Sequence, residues 1–125
     1  MIFDTDVFIW AQRGNLKAAA LIDGCMDRAI SLQTYMEFIE ASKDKRQLRL
    51  NQDFLRSFAF QTLAFTENIG HRAAIYIEQF ALSHGMRSAD AIIAATASEH
   101  QRPLVTANAK HYRHLSDVEI VVLKP

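Results

Sequence analysis

Five oxygen-bearing side chains sit at positions that solubility alone does not explain. Asp4 closes an apolar run that opens at Met1, and Asp6 follows two residues later. In an extended chain, period two puts both carboxylates on one side, about 7 Å apart. Asp6 equally suits the cap of a following helix. Glu37 lies three residues after Thr34, the spacing of a capping box, so a local structural reading stands beside the chemical one. Asp90 comes two residues after Ser88, a helix cap, and its neighbours at plus three, four and seven are Ile93, Ala94 and Ala97, the inward stripe. A carboxylate on a buried stripe needs a partner, because an isolated buried charge is very costly. Asn108 follows Leu104-Val105-Thr106 and either caps the next turn or turns its amide oxygen to a metal or water. Crowded carboxylates raise one another's pKa and oppose folding unless a cation intervenes. Hard oxygen donors select Mg²⁺ or Mn²⁺ over zinc. With no glycine-rich phosphate loop, the chemistry indicated is metal-assisted phosphodiester hydrolysis.

The elements that must gather these residues follow from apolar periodicity and break signals. Met1–Asp4 reads as a short strand, and the apolar run continues through Val7–Ala11 into a helix broken at Gly14-Asn15. Leu16–Ile22 is predicted helical, ending near Gly24, and Ala29–Leu32 fits a buried strand. Thr34 caps a helix to about Lys45, Asp53–Phe60 is a second helical stretch, and Leu63–Phe65 a short strand. Thr66 or Asn68 caps the longest helix, with Ala73, Ile77, Phe80 and Ala81 at helical spacing and His84-Gly85 as its stop. Ser88 caps Ala89–Glu99, Pro103–Thr106 is a strand, Asn108 opens a short helical turn, and Glu119–Leu123 is the last strand. Strands separated by helices predict an α/β sandwich with a mainly parallel sheet. Sites in such sheets form at the carboxyl ends of strands, which puts the acids on one edge. Asp117 and Glu119 flank the last strand and read as solvated.

Composition narrows the class. The chain has 125 residues, half of them apolar and 22% charged, with four Gly and two Pro. It reads as a single domain over 1–125, without repeat or linker, and is too apolar for disorder or low complexity. A lone cysteine, Cys25, excludes a disulfide-built scaffold and, without other soft ligands nearby, a zinc site. No apolar run approaches the roughly 18 residues of a membrane span. The first basic residue is Arg13, so the amino end does not read as a signal peptide, and a cytoplasmic protein without membrane contact is expected. Fourteen Lys and Arg balance fourteen Asp and Glu. A nucleic-acid partner would therefore need a local basic strip rather than a global field.

The segments FDTDVFIW, SLQTYMEFIEA and RSADAIIAATASEHQRPLVTANAKHYRHL resemble the PIN-domain family and, within it, the VapC-type toxins of toxin–antitoxin pairs. The likeness runs from the first residues to the last strand, and its closing third is the most specific part. It implies a three-layer α/β/α sandwich around a central, mainly parallel five-stranded sheet. It also implies a Mg²⁺- or Mn²⁺-dependent endoribonuclease, a homodimer, restrained by a cognate antitoxin. By the resemblance Asp4, Glu37 and Asp90 are the metal-binding acids, and the fourth acidic position falls on Asn108. An Asn adds no negative charge, so one firmly held metal is expected. The family commonly has a neutral polar residue where Asp6 stands, and Asp6 is a possible further ligand that restores part of the missing charge. Thr5 and Thr106 match motif positions and orient the acids or the attacking water.

Grip on RNA has two candidate sources. Lys43, Lys45, Arg46 and Arg49 put four cations in seven residues, either a solvated helix end or a phosphate track. Lys110, His111 and Arg113 follow Asn108 and are expected nearer the acids, which favours Lys110 and Arg113 for phosphate contacts. Trp10 belongs to the core or to a protein interface. Two rival functions remain. A catalytically silent PIN-like module would bind RNA or protein without cutting. Asp4-Thr5-Asp6-Val7 also fits the aspartyl-nucleophile motif of haloacid-dehalogenase-type phosphatases, although Asp90 precedes the Leu104-Val105-Thr106 strand where that motif needs an acid after it.

Overall fold

A computed structural model describes all 125 residues. The chain runs β1 (Ile2–Phe3), α1 (Thr5–Gln12), α2 (Leu16–Asp23), β2 (Ala29–Ser31), α3 (Leu32–Glu40), α4 (Lys45–Ser57), β3 (Gln61–Leu63), α5 (Glu67–His84), α6 (Ser88–Glu99), β4 (Leu104–Thr106), a 3₁₀ turn (Ala109–His111) and β5 (Ile120–Val122). The five strands form one sheet in the order β3-β2-β1-β4-β5. Every pairing is parallel, with Ile2 opposite both Ala29 and Leu104. The sheet is thus parallel throughout, where the sequence predicts a mainly parallel one.

Strand alternation builds the three layers. Ile2, Ala29 and Leu104 face a core of α5 and α6 side chains, including Ile69, Tyr76, Ile93 and Ala94. Phe3, Ile30 and Val105, one residue on, face the opposite core with Val7, Phe8, Ile22 and Phe38. That second core is aromatic: the Phe8 ring centroid lies 5.1 Å from both Phe38 and Phe60. The first closes tightly because α6 presents Ala91, Ala94, Ala95 and Ala97, all buried. Short side chains let a helix approach the sheet closely; long rings hold it further off.

Several boundaries differ from the sequence reading. Asp4, not Asp6, caps α1: its backbone is extended and its carboxylate accepts from the Thr5 amide. The helix therefore starts before Asp6, and the two acids are not on one extended strand. Ser31 caps α3 by accepting from the Thr34 amide, so Thr34 is inside the helix and forms no capping box with Glu37. A box-like exchange occurs further on. Asp44 caps α4 by accepting from the Gln47 amide, and the Gln47 side chain accepts from the Lys43 amide. That exchange separates α3 from α4 where strong helix formers suggest a single run to Lys45. Asp53–Phe60 is mostly the second half of α4. The edge strand β3 falls two residues early, because Gln61 and Thr62 are exposed and leave no apolar pattern to mark it. Arg87, without a side-chain cap bond, occupies the cap position of α6, and Ser88 is its first residue. Thr66 caps α5, and Gly85 ends it in a left-handed conformation that a side chain resists (φ 63°). No helix is long and apolar enough to cross a membrane.

Candidate functional site

The strand order reverses at β1: the chain builds outward to β2 and β3, then returns to add β4 and β5 on the other side. Open parallel sheets have a crevice at such a reversal, beyond the carboxyl ends of the two central strands. Asp4 ends β1 and Thr106 ends β4, and they meet there. The Thr106 hydroxyl donates to Asp4 Oδ2 at 2.9 Å and lies 3.3 Å from Asp6 Oδ2. The Ala107 amide reaches both Asp6 oxygens at 3.1 and 3.2 Å. Asp6 thus joins Asp4 through the end of β4, after a half-turn of helix, rather than by strand periodicity.

Tyr112 links this pair to Asp90. Its ring is fully buried, and its hydroxyl lies 3.0 Å from Asp4 Oδ2 and 3.2 Å from Asp90 Oδ1. Asp90 projects from the first turn of α6 with its side chain 23% exposed, and His111 Nδ1 stands 3.4 Å from its other oxygen. Glu37, on α3, is tied in by a single contact, accepting from the Thr5 hydroxyl at 2.8 Å. Thr5 itself follows Asp4 and gives it its amide, 2.8 Å away.

The protons do not go round. Thr106 and Tyr112 each have one hydroxyl hydrogen, and three carboxylates compete for them. No Lys or Arg joins the network. Burial, and then the charge of Asp6, push the Asp4 carboxyl up to about 7, against the bonds from Thr106, Thr5 and Tyr112. Asp6 is also raised, chiefly by burial, although the Ala107 amide and Thr106 counter it. Burial and the flanking Asp4 and Asp90 charges raise Tyr112 well above an ordinary phenol, so it is a donor throughout the working pH range. The donor set is all oxygen, partly buried and short of positive charge, which suits a hard divalent cation. It is also open: no three His, Cys, Asp or Glu side chains converge tightly enough to enclose an ion.

The residues singled out in the sequence divide into groups. Asp4, Asp6, Thr106 and Asn108 form one network; Asp90 enters through Tyr112 and Glu37 through Thr5. Asn108 makes no side-chain cap bond. Its Nδ2 instead donates to Asp6 at 3.3 Å, while its backbone amide holds the Thr106 hydroxyl at 3.0 Å. Lys110 lines a cleft beside Asp90, and Arg113 is exposed just past the 3₁₀ turn. Lys43 and Arg46 sit at the α3–α4 corner, just past the end of the helix that carries Glu37.

Sequence reasoning missed Tyr112, since no spacing rule ties a turn tyrosine to acids more than twenty residues away. It also took Asp117 for solvated. Asp117 accepts from Tyr76 at 2.6 Å, Arg72 at 2.8 Å and Ser98 at 2.9 Å.

A family model described as "PIN domain" matches residues 1–116. None of the curated proteins compared matches the chain. Solved structures do. A toxin–antitoxin complex from Klebsiella pneumoniae contains a chain 26% identical, with TM-score 0.81 over 97% of this chain and 95% of that one. FitAcB from Neisseria gonorrhoeae is 25% identical, with TM-score 0.74 over 95% and 94%. VapBC-1 from nontypeable Haemophilus influenzae shares the fold at 18% identity, with TM-score 0.80 over 98% of each chain.

Proposed function

This chain belongs to the PIN domain family, and we propose that it is a Mg²⁺- or Mn²⁺-dependent endoribonuclease, the toxin of a toxin–antitoxin pair. The carrying observation is the cluster of Asp4, Asp6 and Asp90 at the strand-order reversal, short of both protons and cations. Similarity to a chain of the Klebsiella toxin–antitoxin complex supports the toxin reading. Membership in the family sets the phosphatase alternative aside.

In this reading Asp4 and Asp90 would hold the ion, with Glu37 as a further ligand or as the group that would position the attacking water. When bound, the ion supplies Lewis-acid stabilisation of phosphate charge and a more acidic water. The chain's own residues do the positioning. Thr5 fixes Glu37 and Asp4 together, through one hydroxyl and one amide. Thr106 aligns Asp4 against Asp6, and Asn108 steadies both Thr106 and Asp6. Tyr112 spaces Asp4 from Asp90. Such pre-alignment removes reorganisation from the reacting step.

The open donor set and the neutral Asn108 favour a second reading, a silent module that binds RNA without cutting it. One experiment separates the two. Pure protein is incubated with mixed cellular RNA in Mg²⁺, in Mn²⁺ and in chelator, beside Asp90→Asn. Discrete fragments that need both metal and Asp90 establish the nuclease; binding with intact RNA in every lane establishes the silent module.

The partners proposed are an antitoxin and a second copy of the chain. An apolar groove of about 550 Å³ between α2 and α4, lined by Leu16, Ala20, Ile22, Phe54 and Phe58, suits an apolar partner segment. Light scattering with and without the co-expressed partner measures both assemblies.

A further inference from the structure

A second cleft opens beside Asp90, away from the Asp4–Asp6 pair. It measures about 260 Å³ and is lined by His84, Met86, Arg87, Asp90, Lys110 and His111. Two segments distant in sequence build it. One is the α5–α6 turn, anchored by buried Met86; the other is the 3₁₀ turn after β4. Arg87 and Lys110 are both exposed and make no side-chain hydrogen bond or ion pair within the chain.

That idleness contrasts with Arg28, Arg72 and Arg102, whose guanidinium groups bind backbone or carboxylate oxygens. Asp90 is the only acid on the cleft wall, and His111 already stands against it. His84 is set in place by stacking on His114, centroids 4.4 Å apart, and by a 2.8 Å contact between its Nδ1 and Ser83 Oγ. The cleft is thus locally cationic in a chain of zero net charge. It falls below the roughly 300 Å³ at which pockets for free small ligands begin. A single phosphodiester unit suits its size and charge.

We propose that this cleft receives a backbone phosphate of the RNA strand next to the one cut at the acids, with Arg87 and Lys110 as its two direct contacts. The proposal rests on the ribonuclease reading of the adjoining site. Arg87 presents a planar fork to phosphate oxygens, and Lys110 a point charge. Contact at a neighbouring phosphate fixes the strand's register without reading its bases. The cleft therefore contributes grip and positioning rather than sequence choice.

Binding of a labelled single-stranded RNA oligonucleotide, in chelator and over a salt series, tests this. Arg87→Ala/Lys110→Ala is expected to raise Kd about tenfold and to flatten the salt slope by about 0.7 for each phosphate no longer neutralised. Arg87→Lys/Lys110→Arg keeps the charges and should recover most of the affinity. Lys17→Ala/Lys124→Ala, which removes two exposed lysines elsewhere, should change neither quantity. In Mg²⁺ or Mn²⁺ the double alanine variant should raise KM with kcat nearly unchanged. A double alanine variant with the wild-type Kd and slope overturns the proposal, as does a wild-type protein that binds no RNA. So does a free mononucleotide that competes as well as the oligonucleotide. Wild-type binding that depends on Arg87 and Lys110, without cleavage in either metal, supports the cleft while removing the nuclease reading.

Discussion

Asp4 and Asp117 sit at opposite ends of the sheet with nearly the same hydrogen-bond donors and opposite electrostatic fates. Each accepts from a tyrosine hydroxyl and from a serine or threonine hydroxyl. Asp117 also faces Arg72, which bridges to Glu99. Partial burial alone would raise Asp117, but Tyr76, Ser98 and Arg72 outweigh it and hold the carboxyl below its usual range. Asp4 has Asp6 where Asp117 has Arg72, is more deeply buried, and rises to about 7. The same kinds of hydrogen bond outweigh burial at the partly exposed Asp117, helped last by Arg72. They fall short at Asp4, where deeper burial and the Asp6 charge both oppose ionisation. One cluster carries its cation within the chain and is structural. The other has no Lys or Arg within it, which supports the metal proposed above.

The largest expected effect breaks the end proposed to bind metal. Asp90→Asn should lower metal-dependent RNA cleavage by about 10³-fold, the loss of several kcal/mol of charge stabilisation. Full activity in that variant would remove Asp90 from the site. At the other end Arg72→Met should cost about 1–2 kcal/mol by urea unfolding, since it strands Asp117 and Glu99. The side chain is 37% exposed, so water screens part of that loss. Cleavage should be unchanged.

Asp6→Asn makes the two clusters more alike by removing the repulsion on Asp4. Metal-free stability should rise by roughly 0.5–1 kcal/mol while Mn²⁺ affinity falls, as read by melting in chelator and by titration calorimetry. A rise in both would show that Asp6 does not contribute charge to the ion. The pH dependence has a definite sign. A carboxyl whose folded pKa is raised binds its proton more tightly when folded, so its stabilising contribution is lost as pH climbs from about 4 through about 7. Wild-type stability in chelator should fall across that window relative to Asp4→Asn, and divalent metal should abolish the difference. Tyr112→Phe should cost about 1 kcal/mol by urea unfolding in chelator, because one hydroxyl is lost from a shared donor pair.

Much of the fold is legible in the sequence because apolar runs and break residues are local. Ile2-Phe3, Ala29–Ser31 and Leu104–Thr106 are continuous buried runs, as a parallel sheet covered on both faces requires. β3 is the exception, an edge strand whose exposed half has no such pattern. Helix starts are less legible. Asp4 and Asp6, or Ser31 and Thr34, offer caps two or three residues apart, and packing rather than propensity decides between them. Asp90 stands out because an acid on an alanine-rich inward stripe conflicts with burial. Glu37 carries no such conflict: its spacing from Thr34 reads as a capping box, and only the resemblance to the PIN domain family gives it a metal to bind.

The sequence by itself determined which side chains could serve as hard oxygen ligands, the alternation of strands and helices, and the absence of any global positive charge. Only the tertiary structure decided that Tyr112 joins Asp4 to Asp90, and that Asp117 is ion-paired with Arg72 while Asp4 has no such partner. It also decided that Arg87 and Lys110 share one cleft. Those relations join residues between 22 and 108 positions apart along the chain. No local spacing encodes them, because they arise only when parallel crossovers bring distant strand and helix ends side by side.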